Sequence, residues 1–201
     1  RRSSDLRSGR NANSALLVGV DPEDLPGEDV LEGVRLQRRM ERTAFDAGRA
    51  GAHADFAAPV QTVGDFLAHA SGSVSRTVQP SYPRKVAWCD VRACLPGFVA
   101  QAIEEALPQL GRKLRGFDDP EAVVCGVEAR SSCPVKIVRE DDGMQSVSAA
   151  AIYPAGEGAG YAGGIMSAAV DGLRVAEAVC LRYSLMASAF PVAMKAVNLR
   201  P

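Results

Sequence analysis

The chain has 201 residues, 47% of them hydrophobic and 23% charged, which is enough apolar mass for a packed core and suits one large domain or two small ones. Lys and Arg number 23 against 24 Asp and Glu, so the basic surplus that draws nucleic acid or an anionic membrane is lacking. Five scattered cysteines without a CxxC or CxxH pair, and only two histidines, exclude a zinc site or disulfide framework readable from spacing.

In chain order, the polar opening RRSSDLRSGRN has no apolar stretch and so is no signal peptide. It also lacks an initiator Met, and a segment upstream is expected. ALLVGV (Ala15–Val20) reads as a short buried strand, and DPEDLPGED after it as a surface loop. From about Val30 to Ala47, Val34, Met40, Ala44 and Phe45 recur at helical spacing, with Gly48 and Gly51 as the expected stop. AAPVQTVGDFLA reads as an extended piece running into a short helix, and the Ser/Thr/Pro-rich stretch from Ser71 to Arg84 as a loop.

After Pro96, the spacing predicts a helix presenting Phe98, Ala102, Ile103, Ala106 and Leu110 along one face. Ala122–Val127, Pro134–Val138 and Ala149–Tyr153 read as strands, and a long helix of small residues follows from about Gly164 to Arg182. The apolar tail from Val179 to Val197 is interrupted by Arg182, Pro191 and Lys195, which argues against a membrane span. The order of elements gives an α/β class of mixed α+β character, with a helical subdomain beside a nucleotide-binding domain.

The informative run is AIYPAGEGAGYAGGIMSAAVDG. Gly156, Gly158 and Gly160 permit backbone angles closed to other residues and close approach of a ligand. The helix that starts near Gly163 and Gly164 offers unpaired N–H groups and the positive end of a dipole to a phosphate or electron-rich ring oxygen. Glu157 can accept from sugar-like hydroxyls, and Ala168, Ala169 and Gly172 permit close packing. The run is not a P-loop, because no Gly-Lys-Ser/Thr follows. Nor does it serve as the usual GxGxxG fingerprint, because no acidic residue closes a second strand about 20 residues on. Spacing alone leaves a nucleotide site and a structural turn both open.

The string YPAGEGAGYAGGIMSAAVDGLRVAEA resembles the closing FAD motif of a family of uncharacterised FAD-dependent dehydrogenases within the two-dinucleotide-binding-domain flavoproteins. NANSALLV, LQRRMERTAF, APVQTVGDFL, PSY, LPGFVAQAIEEAL, GVEARSSCPVKIVRE and MQSV follow the family's order, so the resemblance runs to about Val179. It implies that Gly156 and Glu157 hold the ribityl and pyrophosphate region of FAD, and that Gly158, Ala159 and Gly160 continue the cradle. By the same resemblance, Gly163, Gly164 and Ile165 start a helix facing the flavin pyrimidine edge, where its dipole would favour reduced flavin.

Arg130, Ser131 and Ser132 match a polar turn on the substrate side. Departures cluster there: Ala129 stands where the family has Thr, Cys133 where it has Ser, and PRK after PSY lacks the usual Gly.

The fold implied is a partial FAD-binding flavoprotein fold. Residues 1–20 would supply a strand of the FAD-binding core, 21–115 an inserted, largely helical substrate or lid subdomain, and 116–182 the C-terminal part of the FAD-binding domain. Residues 183–201 have no assigned role. The ADP half of FAD would need a GxGxxG unit upstream, so this chain by itself is expected to bind FAD poorly.

The activity implied for the full-length protein is that of an FAD-dependent oxidoreductase, with an unread small-molecule substrate, no metal, and no nucleic-acid or membrane partner. The alternatives are a non-catalytic flavin- or nucleotide-binding module and a ligand-free interaction domain. Free thiols suggest the cytoplasm, or an organelle if an upstream segment carries a transit peptide. Cys133 is either a redox thiol or a small spectator, and Tyr161 either covers the cofactor or packs. Arg130 either binds an anion or pairs with a carboxylate such as Glu128 or Glu140. His53 and His69 read as ordinary helix-end or loop residues.

Overall fold

The computed structural model describes residues 9–183; the polar opening before them and the tail from residue 184 lie outside that range. The chain divides into two compact units, Arg1–Arg130 and Ser131–Pro201. The fold is α+β, with four α-helices and one three-stranded sheet among the described residues. Among the described residues no helix is long and apolar enough to cross a membrane.

In the first unit a 3-10 turn (Pro22–Asp24) precedes helix α1 (Glu32–Ala52), which is followed by strand β1 (Ala58–Thr62) and the short helix α2 (Val63–Leu67). Strand β2 (Val86–Trp88), helix α3 (Gly97–Lys113) and strand β3 (Val123–Cys125) complete it. β1 is the central strand, parallel to β2 and antiparallel to β3. All five of its residues are buried, as a strand covered on both faces requires. Val63 and Phe66 of α2 meet Val99, Ile103 and Leu107 of α3 in the main apolar cluster.

Helix α1 runs through Gly48 and Gly51 to Ala52, so the two glycines do not stop it. They face the sheet instead. A Cβ on Gly48 would overlap the Ala57 carbonyl, and one on Gly51 would lie 2.8 Å from the Ala87 methyl. The helix ends at His53, which caps it in the left-handed region. His69 does the same just beyond α2, in a Schellman turn closed by Ala70 N–H on the Asp65 carbonyl at 2.9 Å. Both histidines are thus helix-end residues, as the sequence indicates.

Several expectations change. Ala15–Val20 forms no strand; Leu16 and Val18 pack against the apolar cluster without joining the ladder. The buried side of α3 is Val99, Ala100, Ile103 and Leu107, with Phe98, Ala102, Ala106 and Leu110 only half-buried beside it. The expected strand over Ala122–Val127 contracts to β3. Strand β2 has no counterpart in the sequence reading, because three residues are too few to display a period of two.

The second unit holds helix α4 (Ile165–Arg182) and a 3-10 turn, Glu157–Ala159, before it. Neither Pro134–Val138 nor Ala149–Tyr153 is a strand; the regular pairing nearby is a single bridge between Arg139 and Ser146. Ala151 takes a positive φ of 59°, which breaks the second of those segments.

Candidate functional site

The glycine-rich turn is built on two left-handed glycines. Gly156 has φ +67° and Gly160 φ +83°, angles that disfavour any side chain. Gly160 is required twice over, since a Cβ there would lie 2.6 Å from the Val135 carbonyl oxygen. The turn is pinned to the segment 133–139: Ile137 N–H donates to the Ala159 carbonyl at 3.1 Å, and the Cys133 thiol donates to the Gly158 carbonyl at 3.2 Å.

Beneath the turn lies an ion pair that spacing gives no means of finding. Arg139 and Asp171 are 32 residues apart in sequence, and their side chains are only 8% and 12% exposed. Arg139 Nη1 donates to Asp171 Oδ2 at 3.0 Å and to the Pro154 carbonyl at 2.6 Å, while Nη2 donates to Oδ1. Asp171 Oδ2 also accepts from the Gly156 N–H at 2.8 Å. The Arg139 guanidinium holds the Asp171 carboxyl below its ordinary pKa; the Gly156 N–H adds to this, and burial opposes it. The Asp171 carboxylate of α4 thus fixes the first glycine of the turn. The one available sequence signal is Asp171 itself, an acid among small and apolar helix residues.

Tyr161 completes the scaffold. Its hydroxyl accepts from Arg139 N–H and donates to the Ile137 carbonyl, both at 3.1 Å. The Arg139 guanidinium carbon lies 3.7 Å from the ring centroid and Lys136 Nζ 4.6 Å from it. Those contacts give Tyr161 a packing role within its own unit. Nearby, the Tyr153 hydroxyl is shut off from solvent, and burial, followed by the neighbouring Tyr183 hydroxyl, raises its pKa.

The outer side of the turn is open. Glu157 and Gly158 are exposed, as are Gly163, Gly164, Ile165 and Met166 at the start of α4. Gly164 is the N-cap, and the Ser167 hydroxyl accepts from its N–H at 3.1 Å. The N–H groups of Ile165, Met166 and Ser167 form the first turn and have no carbonyl four residues back within the helix. A Cβ on Gly158 or Gly163 would meet nothing within 4 Å, and neither residue has a left-handed φ. Ala169 is exposed and Gly172 likewise borders open space, so the small-residue side of α4 is not packed closely within the described residues. The turn therefore brings Gly156, Glu157, Gly158, Ala159, Gly160, Gly163, Gly164 and Ile165 into one segment, with Ala159 alone of them buried.

The other sequence candidates stand apart. Arg130 ends the first unit and directs its guanidinium at both carboxylate oxygens of Glu41 in α1, rather than at Glu128 or Glu140. Ser131 and Ser132 open the second unit and are exposed. Among the described residues no group of three His, Cys, Asp or Glu side chains could hold a metal ion.

Residues 2–131 match the family described as FAD-dependent protein, C-terminal domain-like. That stretch ends before the glycine turn. A protein of Clostridium beijerinckii bearing the name "Uncharacterized protein" is 40% identical over 175 residues, which cover 87% of this chain and 32% of its own length. An aligned stretch that long takes in the turn wherever it begins. The chain thus spans about a third of the relative's length.

Proposed function

We propose, from the premise that the chain belongs to the FAD-dependent protein, C-terminal domain-like family, that it is the C-terminal part of an FAD-dependent oxidoreductase. Residues 156–165 receive the cofactor in this reading, and residues 21–115 form the substrate-facing subdomain. The observation that carries it is the pair Gly158 and Gly163. Neither needs a left-handed angle and neither is crowded, so nothing among the described residues requires glycine at either place. A large group lying against the main chain would require it.

The residues fit such a group. Bound FAD supplies hydride or electron transfer, while the protein binds and orients it. The first-turn amides of α4 present partial positive charge to an electron-rich ring edge or phosphate. Glu157, exposed beside Gly158, is free to accept from ribityl hydroxyls. Asp171 and Arg139 keep the Gly156 amide in place behind the turn. The ADP half of the cofactor is assigned to a segment of the longer protein, and Ser131 and Ser132 are kept as substrate-side residues. Arg130 joins them only by leaving Glu41.

The test uses the full-length protein and its visible absorption. Wild type should show two flavin bands, and Gly158→Val or Gly163→Val should weaken them while the thermal midpoint of the flavin-free protein stays unmoved. A colourless wild type, or full colour in both variants, would overturn the assignment.

A non-catalytic flavin module is the second reading. It is favoured by the engagement of Arg139 and Asp171 with each other, which leaves the turn without a poised acid–base pair. Turnover with NADH, NADPH or a common reductant would separate the two.

A further inference from the structure

The loop between α2 and β2 borders a cleft of about 470 Å³ in the first unit, lined by residues of 74–80 together with Tyr82, Arg84, Lys85, Val86 and Trp88. Its charge is one-sided. Arg76, Arg84 and Lys85 line it and no Asp or Glu does, in a chain whose net charge is only −1. Glu121, outside the lining, compensates Arg76: it accepts from Arg76 Nε at 3.0 Å and from the Arg76 backbone N–H at 2.7 Å. Arg84 rests over the Phe56 ring at 5.1 Å and forms no ion pair, and Lys85 likewise has no acid partner among the described residues. Among the described residues two cations therefore remain uncompensated beside two aromatic side chains, Tyr82 and the half-buried Trp88.

The loop is also held in shape before any ligand arrives. The Ser75 hydroxyl donates to Glu121 and accepts from Val78 N–H at 3.0 Å. Gln79 is tied at the other end by Asn11, whose side-chain amide donates to its carbonyl at 2.8 Å, and by Arg10. A pre-formed cleft loses little ordering entropy on binding.

We infer that this cleft binds a flat organic anion, its charged end met by Arg84 and Lys85 and its unsaturated body set against Trp88 and Tyr82. Stacking on aromatic faces and charge-assisted hydrogen bonding are the two interactions the lining offers. The inference does not rest on the flavin reading, since it concerns a different unit and requires no cofactor.

Trp88 is the sole tryptophan of the chain, so a ¹⁵N-labelled sample gives one indole N–H resonance as reporter. Titration of the 201-residue chain with 2-naphthoate should move that resonance saturably. The neutral isostere 2-naphthalenemethanol, or 2-naphthoate on the Arg84→Gln/Lys85→Gln double variant, should bind about tenfold more weakly, the ratio that 1.4 kcal/mol of lost interaction gives. Both substituted residues are exposed, and the same spectra report whether the variant is folded. An indole resonance unmoved by millimolar 2-naphthoate would overturn the inference. So would equal affinity for the acid and the alcohol, or for wild type and double variant.

Discussion

Gln61 is fully buried in the central strand, and both ends of its amide are occupied. Nε2 donates to the Ala70 carbonyl at 2.7 Å and Oε1 accepts from Val91 N–H at 3.0 Å. The side chain thereby ties β1 to the turn after α2 and to the segment leading into α3. Gln61→Leu keeps the volume and strands two polar groups, each costing roughly 1–3 kcal/mol when buried unpaired. We expect a loss of about 3 kcal/mol in urea unfolding; a change under about 1 kcal/mol would show that solvent reaches those groups.

Asp171 carries a comparable load in the second unit. Asp171→Asn leaves the Arg139 guanidinium buried without its counter-charge, at a cost of about 3 kcal/mol. Hydrogen exchange at the Gly156 amide should quicken in the same variant, since that N–H loses its carboxylate acceptor. The folded pKa of Asp171 is depressed, so its stabilisation is complete above the unfolded value, about pH 4, and fades as pH falls through the folded value. Exchange at Gly156 followed from pH 6 down to pH 3 should therefore rise, relative to its intrinsic rate, only below about pH 4. A rise centred near neutrality would assign control to another group.

At the scale of elements, a glycine inside a helix has to be judged by what it faces. Replacing Gly48 by Ala gains roughly 1 kcal/mol of helix propensity. It also drives a methyl into the Ala57 carbonyl, part of the rigid main chain leading into β1. Overpacking costs typically 1–3 kcal/mol and more where backbone must move, so the clash wins. Gly48→Ala should lower the thermal midpoint, whereas Gly158→Ala, with open space around it, should leave it unchanged or raise it. Paired melts of the two variants check the contrast.

The same comparison shows what periodicity can reveal. Helices α1, α3 and α4 are legible because 17 to 21 residues repeat a pattern several times. The buried side of α3 is displaced from the predicted one, because Phe98 and Leu110 are apolar yet lie at the margin of the core. Apolar composition alone misassigned Ala15–Val20, of which Leu16 and Val18 reach the core while the backbone joins no strand. The glycine-rich turn was legible as a turn because Gly156 and Gly160 take left-handed angles that favour that residue type. The Arg139–Asp171 pair was hidden because no local rule links residues so far apart in sequence.

For the whole molecule, the two units differ in how far they satisfy themselves. The first has a sheet with helices packed on it and a contiguous apolar cluster. In the second, α4 buries one residue among those described, Val175, while Ile165 and Met166 are 90% and 75% exposed. If the cofactor's ADP half is held by another segment of the longer protein, this chain alone should show no tight FAD binding in equilibrium dialysis, while the full-length protein retains it. Stoichiometric uptake by the 201-residue chain would remove the need for that segment.

The order of strands in the sheet sets a timetable for synthesis. β1 is translated well before β3, the neighbour that covers its second edge, and all of α3 lies between them. At typical elongation rates of about 5–20 residues per second, that edge stays uncovered for several seconds on the ribosome. During that interval Val60 and its neighbours offer a bare hydrogen-bonding rim to any passing strand. A nascent chain stalled between α3 and β3 should consequently be a better chaperone client than one released a dozen residues later.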